Sequence, residues 1–262
     1  SMGPGTKLIT LEQVSWESML QSYTEAARGL LDGGVDGFLI ETCQDLLQAK
    51  CAINACLKAL DEQGRTTEDL PIMVSVTIES SGTMLMGSDI ATVVNALRSY
   101  PIFSLGLNCA TGPKEMTSHI EHLSMNWPRR ISCIPNAGLP VLVEGRTEFP
   151  LKPAPLVETV INFVKRFGVD IIGGCCGTNT KHIEMLAHLA RSAQRSRRDF
   201  SGWMPGCSSL YTPSNYRQEQ SFFIVGERMN VSGSRKFKRL LEEEDLDEMI
   251  SIAKQQVREG SN

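Results

Sequence analysis

Three of the chain's cysteines, Cys109, Cys175 and Cys176, have a type and placement that suit metal binding. Cys109 ends one apolar stretch, and the vicinal pair ends another and lies between glycines. Three thiolates with a fourth coordination position open form the donor set of a catalytic zinc site, with Zn–S bonds of about 2.3 Å. Three thiolates on Zn²⁺ leave the centre with a net negative charge, so a further thiol is bound as an electron-rich thiolate, which is the competent nucleophile. We therefore predict a zinc site that activates a thiol substrate for alkyl transfer.

These cysteines can also be interpreted without a role in a catalytic metal site. A single cysteine at a strand end, such as Cys109, is commonly a small buried apolar residue. The vicinal pair could instead serve packing or a redox role. A non-catalytic zinc-binding or redox module that uses this pair is therefore a further alternative. The other five cysteines are predicted to be structural, and they are Cys43, Cys51, Cys56, Cys133 and Cys207.

A parallel sheet is expected to bring the three cysteines together. Apolar runs alternate with stretches of helical periodicity, and parallel neighbours require crossovers of about a dozen residues. The predicted fold class is therefore α/β, with helices outside a parallel sheet. Parallel strands deliver their carboxyl ends to one rim, so the strand-end cysteines converge there. The predicted strands are 37–40, 71–78, 102–109, 131–135 and 169–174, and the predicted helices are 15–33, 46–60, 88–99, 114–126, 154–167 and 180–193.

The character of the sequence changes after residue 193. Residues 194–220 are rich in arginine, serine, glycine and proline and are predicted to form a polar linker. Beyond them we predict a strand over 221–225, a loop, and a helix over 235–258. One strand and one helix cannot form an independent core, so 221–262 are interpreted as the opening βα unit of a second domain.

The composition excludes several function classes. A formal net charge of -4 provides no basic field for a polyanion, so nucleic acid is not an expected partner. No apolar run has the length of a membrane span, and no secretory signal is visible, so we expect no membrane association. A cytoplasmic location is the expectation, since in a reducing compartment the cysteines take core, metal or catalytic roles.

Three motifs resemble the homocysteine-binding domain of the homocysteine methyltransferases. They are Gly106–Ala110, Ile134–Pro140 and Gly173–Gly177, in this order. A fourth stretch, Gly226–Ser234, looks like the start of a folate-binding domain. This pairing narrows the resemblance to the cobalamin-dependent methionine synthases, and it runs from residue 3 to the end of the chain.

The resemblance implies a zinc-dependent (β/α)8 TIM barrel in which Cys109, Cys175 and Cys176 match the metal ligands. The five predicted strands would be the last five of its eight, so that residues 1–193 form an incomplete barrel. Residues 221–262 would then begin a second, folate-binding barrel.

The resemblance also implies substrate and cofactor positions. Glu41 matches a position that contacts the substrate amino group, and Asn136 would line the same pocket. Without such a role, Glu41 would be a solvated carboxylate at a strand end, and Asn136 would be a turn residue before a glycine. Glu227, Asn230 and Ser232 match the opening of the folate-binding domain.

The reaction implied by the resemblance moves a methyl group from methylcobalamin to homocysteine, giving methionine. The cobalamin, which is bound by a domain absent here, is remethylated by 5-methyltetrahydrofolate. The zinc domain supplies the thiolate only, and no further catalytic residue is predicted. Two alternatives stay open: a homocysteine methyltransferase fed by betaine or S-methylmethionine, and an inactive zinc-binding fragment.

Overall fold

The computed structural model describes residues 1–262, which divide into two compact units. The first unit comprises residues 1–203 and 208–213, and the second comprises 204–207 and 214–262. In chain order the strands are β1 (Phe38–Cys43), β2 (Ile72–Val76), β3 (Ser104–Asn108), β4 (Arg130–Ile134), β5 (Val141–Val143), β6 (Arg146–Glu148), β7 (Ile171–Ile172), β8 (Gly206–Ser208) and β9 (Pro213–Asn215). The helices are α1 (Trp16–Asp32), α2 (Leu46–Glu62), α3 (Ile90–Leu97), α4 (Thr117–Asn126), α5 (Pro153–Phe167), α6 (Thr180–Ala190), α7 (Arg235–Glu242) and α8 (Leu246–Arg258).

The first unit is built on a five-stranded sheet in the order β1-β2-β3-β4-β7, with every pair parallel. The strand order follows the chain order without reversal. Successive helices from α1 to α6 pack against one another around the sheet. The predicted α/β class and all five predicted strands are therefore confirmed.

Local sequence signals explain where the helices begin and end. The side chain of Ser15 accepts a hydrogen bond from the Ser18 amide at the start of α1. Asn179 forms a capping box with His182 at the start of α6. The helix α5 begins with Pro153 and ends at Gly168, which has a left-handed φ of 66°.

The sheet is buried because its strands carry apolar residues on both faces. Every residue of β3 is buried, and four of the five structural cysteines predicted from the sequence lie in the same core. Those four are Cys43, Cys51, Cys56 and Cys133, whereas Cys207 lies in β8 and is half-buried. Burial raises the pKa of Cys43 to about 12, which keeps that thiol protonated.

Two predictions for the second unit are wrong. Residues 221–225 form no strand, and Phe222 and Val225 are 88% and 74% exposed, because no neighbouring strand pairs with them. The predicted helix over 235–258 is divided into α7 and α8. Glu244 has a left-handed φ of 55° at the break, and Asp245 caps α8. The small core of this unit comprises Phe237, Leu240 and Ile252 with Met249.

The segment expected to be a polar linker begins as part of the first unit. Arg198 donates hydrogen bonds to the carbonyls of Trp127 and Arg129, and the Trp203 indole donates to the Asn95 side chain. No helix of the chain combines the length and apolar character needed to span a membrane.

Candidate metal centre

The three cysteines singled out from the sequence meet at the carboxyl rim of the sheet. The Sγ atoms of Cys109, Cys175 and Cys176 all lie within 4.8 Å of one another, and those of Cys109 and Cys176 are 3.8 Å apart. All three thiols are free of disulfides. Cys109 and Cys175 are half-buried and Cys176 is exposed, so the sulfur cluster is accessible from solvent on one side.

Cys109 reaches the cluster through a left-handed turn directly after β3. Cys109 and Ala110 have φ values of 61° and 56°, a conformation that non-glycine residues seldom adopt. Two backbone hydrogen bonds hold the turn: the Cys109 amide donates to the Ile134 carbonyl at 3.2 Å, and the Thr111 amide donates to the Cys109 carbonyl at 2.6 Å. The strained backbone therefore turns the Cys109 side chain out of the strand and towards the vicinal pair.

The vicinal pair is fixed by the segment that follows β4. The Cys175 amide donates to the Pro135 carbonyl at 2.8 Å, and the Ala137 amide donates to the Cys176 carbonyl at 2.9 Å. Between them, the Asn136 side-chain oxygen accepts from the Cys176 amide at 3.1 Å. These contacts fix the backbone of both adjacent cysteines, so both thiols reach one point.

Gly177 makes the turn after the vicinal pair possible. Its φ of 78° is left-handed, and a Cβ at this position would overlap the Phe149 side chain, with Phe149 Cδ2 at 2.8 Å. A larger residue would therefore displace either Phe149 or the turn that carries the cysteines.

A partly buried polar network connects Cys175 to the end of β1. The Asn108 side chain accepts from the Thr42 amide at 2.9 Å and donates to the Thr42 hydroxyl at 2.7 Å. The same Asn108 nitrogen lies 3.9 Å from the Cys175 sulfur. Sequence reasoning missed Asn108 and Thr42 as site residues. The available signal was an asparagine at the end of an otherwise apolar strand, next to a candidate ligand.

Hydrogen bonding and burial shift the pKa values of the three thiols in different directions. Hydrogen bonding from the Cys175 thiol lowers the pKa of Cys109 to about 5, against the effect of burial, and the Ala110 amide and Asn136 side chain act in the same direction. The same hydrogen bond, together with burial, raises the pKa of Cys175. Burial raises the pKa of Cys176. A thiolate on Cys109 thus lies beside two further sulfur donors, an arrangement that a soft cation would stabilise.

The sulfur geometry fits zinc. Four ligands at about 2.3 Å in a tetrahedron have neighbouring sulfurs separated by about 3.8 Å, and Cys109 and Cys176 have this separation of 3.8 Å. The donor set of three thiols is soft, which selects Zn²⁺ over hard cations such as Mg²⁺. Asn108 contacts the Cys175 sulfur, and Asn136 accepts a hydrogen bond from the Cys176 amide. Metal ligands commonly have outer hydrogen-bond partners of this kind.

The remaining predicted site residues lie in two places. Glu41 is half-buried in β1, one residue before Thr42, and its carboxylate makes no hydrogen bond or ion pair. Asn136 is 3% exposed and touches the cysteines. In the second unit the Asn230 side chain accepts from the Ser232 amide at 2.9 Å, and the Asn230 amide donates to the Glu227 carbonyl at 3.1 Å. All three of these side chains are exposed on one turn.

Replacing Asn136 with alanine tests its role as a positioning residue. We expect zinc affinity to fall about 10- to 100-fold, since outer partners of metal ligands contribute on this scale. Folding stability should fall by about 1–3 kcal/mol, because the Cys176 amide loses its acceptor. Competition with a chromophoric chelator measures the first effect and urea unfolding the second. Asn162→Ala, at an exposed position in α5, is the matched control. Equal zinc affinity in the wild type and Asn136→Ala would contradict the assignment.

Comparison with known proteins places this chain in a family. Residues 1–190 match the family model described as homocysteine S-methyltransferase. Over the whole chain, the sequence is 44% identical to the methionine synthase of Mycobacterium tuberculosis (strain ATCC 25618 / H37Rv) and 43% identical to that of Mycobacterium leprae (strain TN). The chain spans 22% of the length of each relative. The resemblance inferred from the motifs is thus confirmed.

Two solved structures share the fold. The apo form of the homocysteine methyltransferase MmuM from Escherichia coli aligns with a TM-score of 0.53 at 22% identity, covering 72% of this chain and 60% of that one. Its metallated form aligns with a TM-score of 0.51 at 23% identity, covering 67% and 52%. At this identity the likeness concerns the fold alone. Because the family model matches residues 1–190, the chain belongs to the homocysteine S-methyltransferase family.

Proposed function

We propose that the first unit binds zinc and activates homocysteine for methyl transfer, giving methionine. Methylcobalamin is the proposed immediate donor and 5-methyltetrahydrofolate the ultimate donor. The observation that carries the proposal is the convergence of three free thiols within 4.8 Å at a solvent-accessible rim, in a chain of this family.

Each site residue has a proposed task. Cys109, Cys175 and Cys176 hold the metal, which when bound lowers the pKa of a coordinated thiol and so presents it as a thiolate. Asn136 fixes the Cys176 backbone, and Asn108 contacts the Cys175 sulfur. These polar contacts come from the strand ends, so the ligands are positioned before substrate arrives.

Glu41 is proposed to bind the amino group of homocysteine. Its neighbour Thr42 hydrogen-bonds Asn108, which in turn contacts Cys175, so β1 ends close to the sulfur cluster. The carboxylate of Glu41 makes no internal ion pair and is available to a cationic group. Asn136 is proposed to line the same substrate pocket while it supports the cysteines.

We further propose that the five parallel strands are the last five of an eight-stranded barrel. The sequential strand order and the packing of successive helices support this, because a doubly wound sheet reverses its strand order. Residues 1–193 would be the barrel part, 194–220 the connection and 221–262 the start of a folate-binding domain. Glu227, Asn230 and Ser232 are the proposed folate-side residues, and the cobalamin is proposed to bind a different domain.

One observation favours methylcobalamin over betaine or S-methylmethionine as the proposed donor. The similarity to methionine synthases extends over the whole chain, including residues 221–262, which lie beyond the homocysteine S-methyltransferase match. In each of the two relatives, residues 1–190 and residues 221–262 therefore both match parts of the same longer protein.

A methyl-transfer assay tests the proposed function. The zinc-loaded chain is incubated at pH 7 with L-homocysteine and methylcobalamin, and methionine is quantified by chromatography. A free thiol with a pKa of about 8.5 is only about 3% thiolate at this pH, so we expect the chain to accelerate the reaction about tenfold or more. Cys176→Ser should return the rate to that of the chain-free reaction.

Parallel reactions with betaine and S-methylmethionine separate the donors. Faster methionine formation with either of them than with methylcobalamin would contradict the cobalamin proposal. A zinc-loaded chain that is inert with all three donors would contradict the enzymatic proposal and favour a zinc-binding module.

A further inference from the structure

A cavity lies at the opposite rim of the sheet from the cysteines. It has a volume of about 620 Å³ and is lined at the amino-terminal ends of β3, β4 and β7. Cavities of this volume hold small molecules. Five arginines and a single carboxylate line it: Arg129, Arg130, Arg195, Arg197, Arg198 and Asp170.

The one carboxylate is already engaged. Asp170 accepts a hydrogen bond from the Ile131 amide at 2.9 Å, and it pairs with Arg195 at 3.1 Å and with Arg198 at 3.4 Å. Arg130 and Arg197 are exposed and make no ion pair. Positive charge therefore exceeds negative charge around the cavity, although the whole chain is net negative.

Arg198 is a buried cation whose hydrogen-bonding capacity is incompletely used. Its side chain is 5% exposed, and its terminal nitrogens donate to the carbonyls of Trp127 and Arg129. Its Nε, like that of Arg129, is buried without a hydrogen-bond partner. Burial lowers the pKa of Arg198 and of Arg129. Concentrating cations in this way is unfavourable unless an anion compensates them.

Aromatic rings limit how two of these arginines, the exposed Arg130 and the buried Arg198, can move. The Arg130 guanidinium lies over the Phe103 ring at 4.3 Å, and the Arg198 guanidinium lies 5.1 Å from the Phe200 ring centre. Stacking of this kind pre-organises the planar donor fork, which is the geometry that binds phosphate oxygens in pairs.

We propose that this cavity binds a small multivalent oxyanion of the phosphate or diphosphate class. The five arginines supply the charge, and the N–H groups of Arg130 and Arg197, which make no ion pair, supply donors. This site is separate from the sulfur cluster, and it does not depend on the function proposed for that cluster.

Titration calorimetry with inorganic pyrophosphate on the full chain tests the proposal. The expected result is one binding event per chain. Its heat should exceed that of a control titration with sodium chloride at the same ionic strength. Arg130→Gln and Arg197→Gln should each weaken binding about fivefold or more, since each removes a charge-assisted contact. Both positions are exposed, so the variants should unfold at the wild-type temperature.

Arg146→Gln is the matched control, because Arg146 is an exposed arginine in β6 outside the cavity. It should bind pyrophosphate as the wild type does. The proposal is overturned if pyrophosphate gives no heat beyond the chloride control, or if Arg146→Gln weakens binding as much as the two cavity variants.

Discussion

Replacing any one of Cys109, Cys175 and Cys176 with serine is expected to lower zinc affinity about a hundredfold or more. A serine hydroxyl stays protonated at neutral pH and is a poor ligand for zinc, whereas the thiolate is the form that binds. Removing a direct ligand should cost more than the 10- to 100-fold effect typical of outer partners. The measurement is metal content after dialysis, together with affinity from chelator competition, and the wild type should retain about one zinc per chain.

Cys207→Ser is the control for this series, since Cys207 is a half-buried thiol outside the cluster. It should keep the wild-type zinc content. Because the cluster thiols are at least partly exposed, the three serine variants should remain folded by circular dichroism. Retention of full zinc content in any of the three, or loss of zinc in Cys207→Ser, would refute the three-cysteine site.

The largest expected effect on folding belongs to Gly106→Ala. Gly106 lies in the middle strand β3, where an added Cβ would overlap Ser132 of β4, whose carbonyl carbon lies 2.6 Å away. Neither backbone can move without breaking the parallel ladder that joins β3 and β4. We expect a loss of about 3 kcal/mol or more, above the usual cost of overpacking. Zinc affinity should fall as well, because Cys109 directly follows this strand.

Gly29→Ala provides the matched comparison. Gly29 lies in α1 with nothing within 4 Å of an added Cβ, so alanine should stabilise the helix by about 0.5–1 kcal/mol. Urea unfolding of both variants measures the difference. Wild-type stability in Gly106→Ala would show that β3 and β4 are less closely packed than described.

The sheet and the convergence of the cysteines could be predicted because both follow from patterns along the chain. Apolar runs separated by helical crossovers determine a parallel sheet, and parallel strands share one rim. The contact between Thr42 and Asn108 could not be predicted in this way. It joins distant residues through side chains, and it depends on a left-handed φ of 59° at Thr42.

The two errors in the second unit have different physical causes. The apolar run 221–225 has the composition of a strand, but a strand also needs a partner, and composition does not reveal whether one is near. The break between α7 and α8 had a visible signal, since Asp245 and Glu248 have the spacing of a helix N-cap followed by a first-turn acid. The apolar periodicity of 235–258 concealed it.

The arginine cavity shows how net charge can mislead. Arg129 and Arg130 are far in sequence from the arginines near 195–198, and the whole chain carries a charge of -4. Only the fold brings both groups to one rim of the sheet. The composition of the whole chain therefore gives no information about a local concentration of cations.

X-ray absorption at the zinc edge tests the central claim most directly. The zinc-loaded chain is measured alone and after addition of L-homocysteine, and the sulfur ligands at about 2.3 Å are counted. The account predicts three sulfur ligands in the chain alone and four once homocysteine is present, with the increase absent when homoserine replaces it. Fewer than three sulfurs in the chain alone, or a count that homocysteine does not change, would contradict it.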